Sequence, residues 1–325
     1  APSIPAGGHI SHGKKEHFGT AGLVHGLEIE FFPFDAEEMT IDVDKTKQKV
    51  EVLKKDGRLP KMAMFGGSLF LFPHPVKELS DFLKSYDIHI NYDAAHVAGL
   101  IVGGKFQDPL REGTDTMTMS THKTLFGPQG GLVLGSEEHE EIIKKATFPG
   151  LTSSHHIHHM AGKAVAFAEA LEFGKDYATQ VVKNAKSFAE ALSDLGFKVL
   201  GEKRGFTESH QIAVNVLDYS DGGKVEADLE KANIIVNRQL IPGDIKAGRN
   251  YFHPSGIRLG VSEITRLGMK KNEMQEIASI IKQVIIEKKD PKKILVKVKA
   301  FRKNFQKVKF CFDNKLGAYE YVKLR

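Results

Sequence analysis

Between residues 60 and 135 the chain alternates short extended-looking runs with a helical period. The segment "MAMFGGSLFLF" (62–72) reads as a strand that closes in a turn, and "VKELSDFLKSY" (76–86) spaces its apolar residues as a helix does. "DIHINYDAAHVAGLI" (87–101) reads as a strand followed by a loop. "TDTMTMST" (114–121) alternates β-branched with apolar residues and predicts another strand. Gly127-Pro128 and Gly130-Gly131 then punctuate the chain before "GLVLG" (131–135), a further strand-like run. Strands alternating with helices of this length predict parallel βαβ units, an α/β layout with an open sheet covered on both faces.

The rhythm changes in the second half. "AGKAVAFAEALEFG" (161–174) and "YATQVVKNAKSFAEALSDLG" (177–196) are alanine-rich helical patterns, the second stopped by Gly196. Strand-like "FKVLG", "HQIAVNVL", "IIVNRQL" and "GIRLGV" then mix with helical "GKVEADLEKAN" and "KNEMQEIASIIKQVI". That is an α+β layout, so residues 1–169 are read as a larger domain and 170–325 as a smaller one.

Composition narrows the classes. With 41% hydrophobic and 27% charged residues the chain matches an ordinary soluble globular protein. No run approaches the roughly 18 apolar residues that suggest a membrane span, and the first residues show no signal-peptide pattern. The single cysteine, Cys311, cannot form an internal disulfide and suits a reducing, cytoplasmic compartment. The net charge of +5 is concentrated in "EKKDPKKILVKVKAFRKNFQKVK" (287–309). There Ile294, Leu295, Val298, Phe301 and Phe305 recur at helical steps, so the lysines are read as the solvated face of an amphipathic helix rather than a nucleic-acid footprint. "SEEHEEIIKK" (136–145) is read as another solvated helix face.

Chemistry concentrates where two strands end. In open α/β sheets ligands bind outside the carboxyl ends of the strands, and both Asp93 and Lys123 fall there. A lysine that attacks a carbonyl must be neutral part of the time, which a buried position permits. A pyridoxal cofactor also needs a carboxylate facing its pyridine nitrogen. Asp93 is placed for that role, and His96, three residues on, can stack on the ring or bond its phenolic oxygen. Each residue alone is commonplace, but D-x-x-H followed by S-x-H-K at a strand end is a specific combination. "GGHISHG" (7–13) has no preceding strand and is not a dinucleotide fingerprint.

The stretches "GGHISHG", "YDAAHVAGLIVGG", "TMSTHKTLFGPQGG", "NRQLIPGD" and "SGIRLGVSEITRLGM", in this order, resemble serine hydroxymethyltransferase over residues 1 to about 285. The resemblance implies pyridoxal-phosphate fold type I, with a mostly parallel sheet in the large domain and a small C-terminal α+β domain. It implies a Schiff-base lysine at Lys123, a pyridinium partner at Asp93, and His9 and His96 on either side of the ring. Ser68 matches a serine near the phenolic oxygen, Ser120 a threonine that positions substrate or cofactor, and Arg258 the arginine that takes the amino-acid carboxylate. His122, beside the lysine, is counted with the cofactor contacts. The implied reaction exchanges serine and glycine on pyridoxal 5'-phosphate and passes the hydroxymethyl group to tetrahydrofolate or tetrahydromethanopterin. Pterin contacts would fall on Ile4, Gly8, His9, Ile10, Asn250, Tyr251 and Phe252, and the family's assembly implies a homodimer.

Two departures qualify the resemblance. Family chains carry roughly another quarter of their length before the glycine-histidine motif, including the phosphate-gripping turn and an acid/base segment, so this chain is expected to be truncated and of low or no activity. In "LTSSHHIHH" (151–159), Ser153, Ser154 and His155 stand where bacterial and eukaryotic relatives have Gly-Gly and Pro, which resembles the archaeal branch and points toward a methanopterin carrier. His155, His156, His158 and His159 invite a metal reading, but no carboxylate or cysteine completes a site, and no metal is expected. The competing functions are a threonine aldolase-like pyridoxal enzyme without a pterin, and nucleic-acid binding through the basic C-terminal helix, which a steep salt dependence would reveal.

Overall fold

The computed structural model describes residues 1–17 and 19–318. Two compact units are present, Ala1–Ala170 and Leu171–Arg325.

The first unit opens with tight 3-10 turns at Ile4–Ala6 and Ile10–His12 and a short helix, α1 (Thr20–Leu23). A small hairpin, β1 (Phe34–Asp35) with β2 (Thr40–Ile41), leads into α2 (Val43–Lys55). The Asp42 carboxylate accepts the Lys45 N–H at 2.9 Å and caps α2, and Lys54 and Lys55 close its last turn, where the helix dipole favours cations. The succession that builds the sheet follows: β3 (Met62–Gly66), α3 (Val76–Lys84), β4 (His89–Asp93), α4 (Ala98–Val102), β5 (Thr116–Ser120) and β6 (Gly131–Gly135). The sheet order is β3-β4-β5-β6. The first two pairings are parallel, as the βαβ rhythm predicts, while β5 and β6 pair antiparallel, Ser120 opposite Gly131. The Lys123 turn therefore doubles the chain back on itself instead of leading into a crossover.

Alternation along the strands gives the sheet two different faces. Ile90 and Tyr92 of β4 and Phe65 of β3 are completely buried, together with Leu79 and Leu83 of α3. Each such side chain contributes about 1.5–3 kcal/mol by leaving water. The intervening positions are polar. The Thr116 hydroxyl donates to Asn91 Oδ1 at 2.8 Å and lies 2.9 Å from His89 Nε2. The polar rows end at Asp93 and Ser120, on the strand tips.

Beyond β6 lie α5 (Glu140–Lys145), exposed except at half-buried Ile143, as the charge pattern predicts, and α6 (Ile157–Asp194). The two alanine-rich patterns are one helix, not two. Gly174, Lys175 and Asp176 continue the helical backbone because neither proline nor a left-handed glycine interrupts them.

The second unit is a four-stranded antiparallel sheet. β7 (Lys198–Val199), β8 (Gln211–Asn215), β9 (Asn237–Gln239) and β10 (Gly256–Gly260) run in the order β7-β8-β10-β9. "FKVLG" and "IIVNRQL" thus contribute only two and three ladder residues. Helices α7 (Gly222–Lys231), α8 (Ser262–Arg266), α9 (Lys271–Ile285) and α10 (Pro291–Arg302) complete it. Ile294 of α10 is buried, with Leu295, Val298 and Phe301 half-buried, so the basic tract is an amphipathic helix with its lysines outward.

Candidate active site

The Lys123 turn is held by the threonines on either side of it. The Thr121 hydroxyl donates to Pro128 O at 2.7 Å, and Gly127 N–H returns to Thr121 O at 2.7 Å. The Thr124 hydroxyl donates to His96 O at 2.8 Å and accepts the Gly99 N–H at 3.0 Å. Both threonines are almost fully buried. Thr124 therefore ties the lysine turn directly to the loop that follows Asp93, and two strand ends far apart in sequence share one fixed geometry.

These ends open onto a cavity of about 290 Å³ lined by His9, His12, Asp93, His96, Ser120 and Lys123, with Ser11, Gly67, Ala95, Thr118 and Met119 between them. Its size sits at the lower edge of small-molecule pockets, roughly 300–1,000 Å³. Asp93 is 9% exposed and accepts the Ala95 N–H at 3.0 Å. Burial pushes its carboxyl above the ordinary carboxylate value, partly offset by that N–H and by the charge of Lys123.

His12 stands 3.4 Å from Asp93 Oδ2 through its Nε2. Burial, and after it the neighbouring His9 and chain terminus, pull the His12 pKa down to about 4. The imidazole is thus neutral at pH 7, and its Nδ1 is buried without a hydrogen-bond partner. His9 packs beside it with ring centroids 6.1 Å apart, its own Nδ1 2.7 Å from the Ser11 hydroxyl.

The remaining sequence candidates are placed as follows. Ser68 is half-buried and donates its N–H to Gly7 O at 2.7 Å, its neighbour Gly67 rather than Ser68 reaching the cavity wall. His122 is exposed and turned toward Gly130 N–H at 3.4 Å, away from the cavity, because the two threonines direct that turn. Ile4 lies in the first 3-10 turn, Gly8 donates its N–H to Ser3 O at 2.8 Å, and Ile10 is exposed. In the second unit, Arg258 on β10 donates to Asn237 Oδ1 at 3.1 Å, and burial draws its guanidinium below its ordinary pKa. Asn250 Oδ1 caps the turn through Phe252 N–H at 2.9 Å, which leaves Tyr251 and Phe252 exposed edge to face. His155 and His156 precede α6, so the helix face proposed for four histidines holds only the last two. The rings of His156, His158 and His159 cluster within 5.4 Å at the surface.

The sequence reading passed over three contributors to the site. His12 sits in the same "HISH" as His9, and this spacing of three was its available signal. Thr121 and Thr124 flank His122-Lys123 in the sequence, with nothing there to mark their hydroxyls as partners of the turn.

The donor set fits a pyridoxal ring. A buried carboxylate held above its ordinary pKa suits a ring N–H, and an amine and imidazoles line the same cavity. Among the described residues that line the cavity, Lys123 is the one lysine or arginine available to the phosphate. The serine hydroxymethyltransferase family model matches residues 2–281. A serine hydroxymethyltransferase of Nitrosopumilus maritimus (strain SCM1) is 92% identical over this whole chain, and one of Cenarchaeum symbiosum (strain A) is 77% identical over the same span. One of Korarchaeum cryptofilum (strain OPF8) is 52% identical over 98% of the chain. The chain spans 74% of the length of each of the three. Among solved structures, L-threonine transaldolase from Pseudomonas fluorescens superposes with a TM-score of 0.84 at 31% identity, over 97% of this chain and 69% of that one.

This is an α/β protein of pyridoxal-phosphate fold type I. The chain belongs to the serine hydroxymethyltransferase family, whose archaeal members it matches, as the motifs imply. The family's reaction is the pyridoxal-phosphate-dependent interconversion of serine and glycine, with a reduced pterin as co-substrate.

Proposed function

We propose that the cavity beside Lys123 is the site at which this chain interconverts serine and glycine. The observation that carries the reading is the convergence of Lys123 with Asp93, a carboxylate held above its ordinary pKa by burial, in one cavity. The first unit would act as the large cofactor-binding domain and the second as the small domain.

Bound pyridoxal phosphate supplies an aldehyde for an amine and a ring that accepts the electron pair released when the Cα–Cβ bond of serine breaks. Lys123 would hold the aldehyde carbon, Asp93 would keep the ring nitrogen protonated, and His9 and His96 would flank the ring. The neutral imidazole of His12, 3.4 Å from Asp93 Oδ2, would help to hold the carboxylate in place. Ser120, at the tip of β5, offers a hydroxyl to substrate or cofactor. Arg258 is assigned to the amino-acid carboxylate, which its planar fork can grip with two hydrogen bonds.

The hydroxymethyl group would pass to tetrahydromethanopterin or tetrahydrofolate, with Ile4, Gly8, Ile10 and Asn250–Phe252 as pterin contacts. A homodimer and a cytoplasmic setting follow from the family resemblance. The test incubates the chain with pyridoxal phosphate, L-serine and each pterin in turn and measures glycine. Pterin-dependent glycine formation supports the reading. A second reading has one observation in its favour, the fold shared with a threonine transaldolase. Cleavage of L-threonine without any pterin, and no turnover of serine with one, would establish that reading instead.

A further inference from the structure

The backbone that forms one wall of the cavity has an unusual support. At the tip of β3, Gly66 and Gly67 adopt φ values of +83° and +155°, which side chains with a Cβ rarely tolerate. The space confirms the need for glycine: a Cβ on Gly66 would lie 2.1 Å from Asp93 O, and one on Gly67 would lie 2.4 Å from Gly7 O. The two glycines therefore pass between β4's carboxylate-bearing end and the turn that carries His9 and His12. The contact on the second side is made by hydrogen bonds, since Ser68 and Leu69 both donate their N–H groups to Gly7 O, at 2.7 and 3.0 Å.

What fixes this strand end is a buried histidine. Gly66 N–H donates to His74 Nδ1 at 3.1 Å. His74 is 7% exposed, and its ring lies against Phe70 (centroids 5.1 Å), with Phe65 and Tyr92 around it. An imidazole in such surroundings stays neutral, and an Nδ1 that accepts an amide proton leaves the ring proton on Nε2. The His74 backbone is itself pinned by Gln107. The Gln107 Oε1 accepts the His74 N–H at 2.8 Å and the Tyr92 hydroxyl at 2.7 Å, while its Nε2 donates to His74 O at 3.0 Å and Glu112 Oε2 at 2.6 Å. Tyr92 is the residue before Asp93, so the network grips β4 as well as β3.

We propose that His74 is a positioning residue for the cavity: by accepting the Gly66 N–H it seats Gly66 and Gly67 between Asp93 and the His9–His12 turn, and so sets the distance between the two walls that hold the cofactor ring. A histidine enclosed by aromatic rings could instead be plain core filling, in which case its Nδ1 would be dispensable. This inference rests on the reading of the cavity as a pyridoxal-phosphate site.

The test compares the parent chain with His74→Asn, whose Oδ1 can replace Nδ1 as the acceptor, and His74→Leu, which fills space but accepts nothing. Pyridoxal-phosphate affinity is read by absorbance titration, and amide exchange at Gly66, Gly67 and Asp93 is read without cofactor. Expected are an affinity within about threefold of the parent for His74→Asn and a loss of tenfold or more for His74→Leu, with faster exchange at Gly66 in the leucine variant alone. A His74→Leu chain with parental affinity and parental Gly66 exchange overturns the proposal. If that variant does not fold, His74→Asn decides: retained affinity supports the acceptor role, and lost affinity in a folded chain overturns it. If the parent itself takes no pyridoxal phosphate, the reading of the cavity fails, and the exchange measurements still decide the role of His74.

Discussion

His12 and Asp93 face each other across 3.4 Å inside the fold, a neutral imidazole against a carboxylate that burial disfavours. Burial outweighs the Ala95 N–H and the charge of Lys123, so the Asp93 carboxyl stays above its ordinary pKa. In the cofactor-free chain the negative charge is therefore a net burden on stability.

Asp93→Asn removes that burden while keeping an oxygen for the Ala95 N–H. The variant is expected to be more stable without cofactor, seen as a higher Tm. It is also expected to lose the spectral signature of bound pyridoxal phosphate. Calorimetry and an absorbance titration on the same preparation check both halves.

Acid should weaken the fold through two histidines. Burial lowers His12 and His74 from the ordinary 6.5 to about 4. Each is neutral in the fold, so its contribution is fully present above pH 6.5 and is lost as pH falls toward 4. The loss reaches about 3 kcal/mol per histidine once the pH is below both values. The raised carboxyl of Asp93 acts in the opposite sense, recovering stability as it takes up a proton. Denaturant unfolding between pH 7 and 4 should show a net decline, and the decline should be shallower in His74→Asn.

Thr124→Val keeps the shape of the side chain but removes the hydroxyl that accepts the buried Gly99 N–H and donates to His96 O. A cost of about 1–3 kcal/mol is expected by denaturant unfolding, with Thr124→Ser losing about 1 kcal/mol or less. Because this hydroxyl ties the lysine turn to the Asp93 loop, the valine variant should also take up pyridoxal phosphate more weakly than the serine variant.

Arg258→Lys keeps the charge but loses the planar fork. The expected result is a KM for serine raised about tenfold or more with cofactor affinity unchanged. A change in cofactor affinity with KM unchanged would remove Arg258 from the carboxylate role.

Much of this site could be read along the chain, because Asp93 and Lys123 lie at strand ends that the apolar pattern marks, and strand ends of open sheets are where ligands bind. The alternation in "TDTMTMST" likewise predicted β5, and the amphipathic period within 287–309 predicted α10, which ends at Arg302, short of Phe305. What escaped are relationships through space. Nothing in "FPHP" announces that His74 Nδ1 accepts a hydrogen bond from the Gly66 N–H, eight residues earlier, and nothing in "THKT" says that Thr124 reaches back to His96. His12 differs from His9 only in which one the fold buries against Asp93. The antiparallel turn of β6 was hidden for the same reason, since a run such as "GLVLG" fits either direction.

Covalent trapping asks whether Lys123 is the residue to which the cofactor attaches. The chain is saturated with pyridoxal phosphate, reduced with borohydride, digested and mapped by mass spectrometry, beside a Lys123→Ala control. One dominant modified peptide is expected, the one containing Lys123, absent from the control. Modification centred on another lysine, with Lys123 untouched, would contradict it.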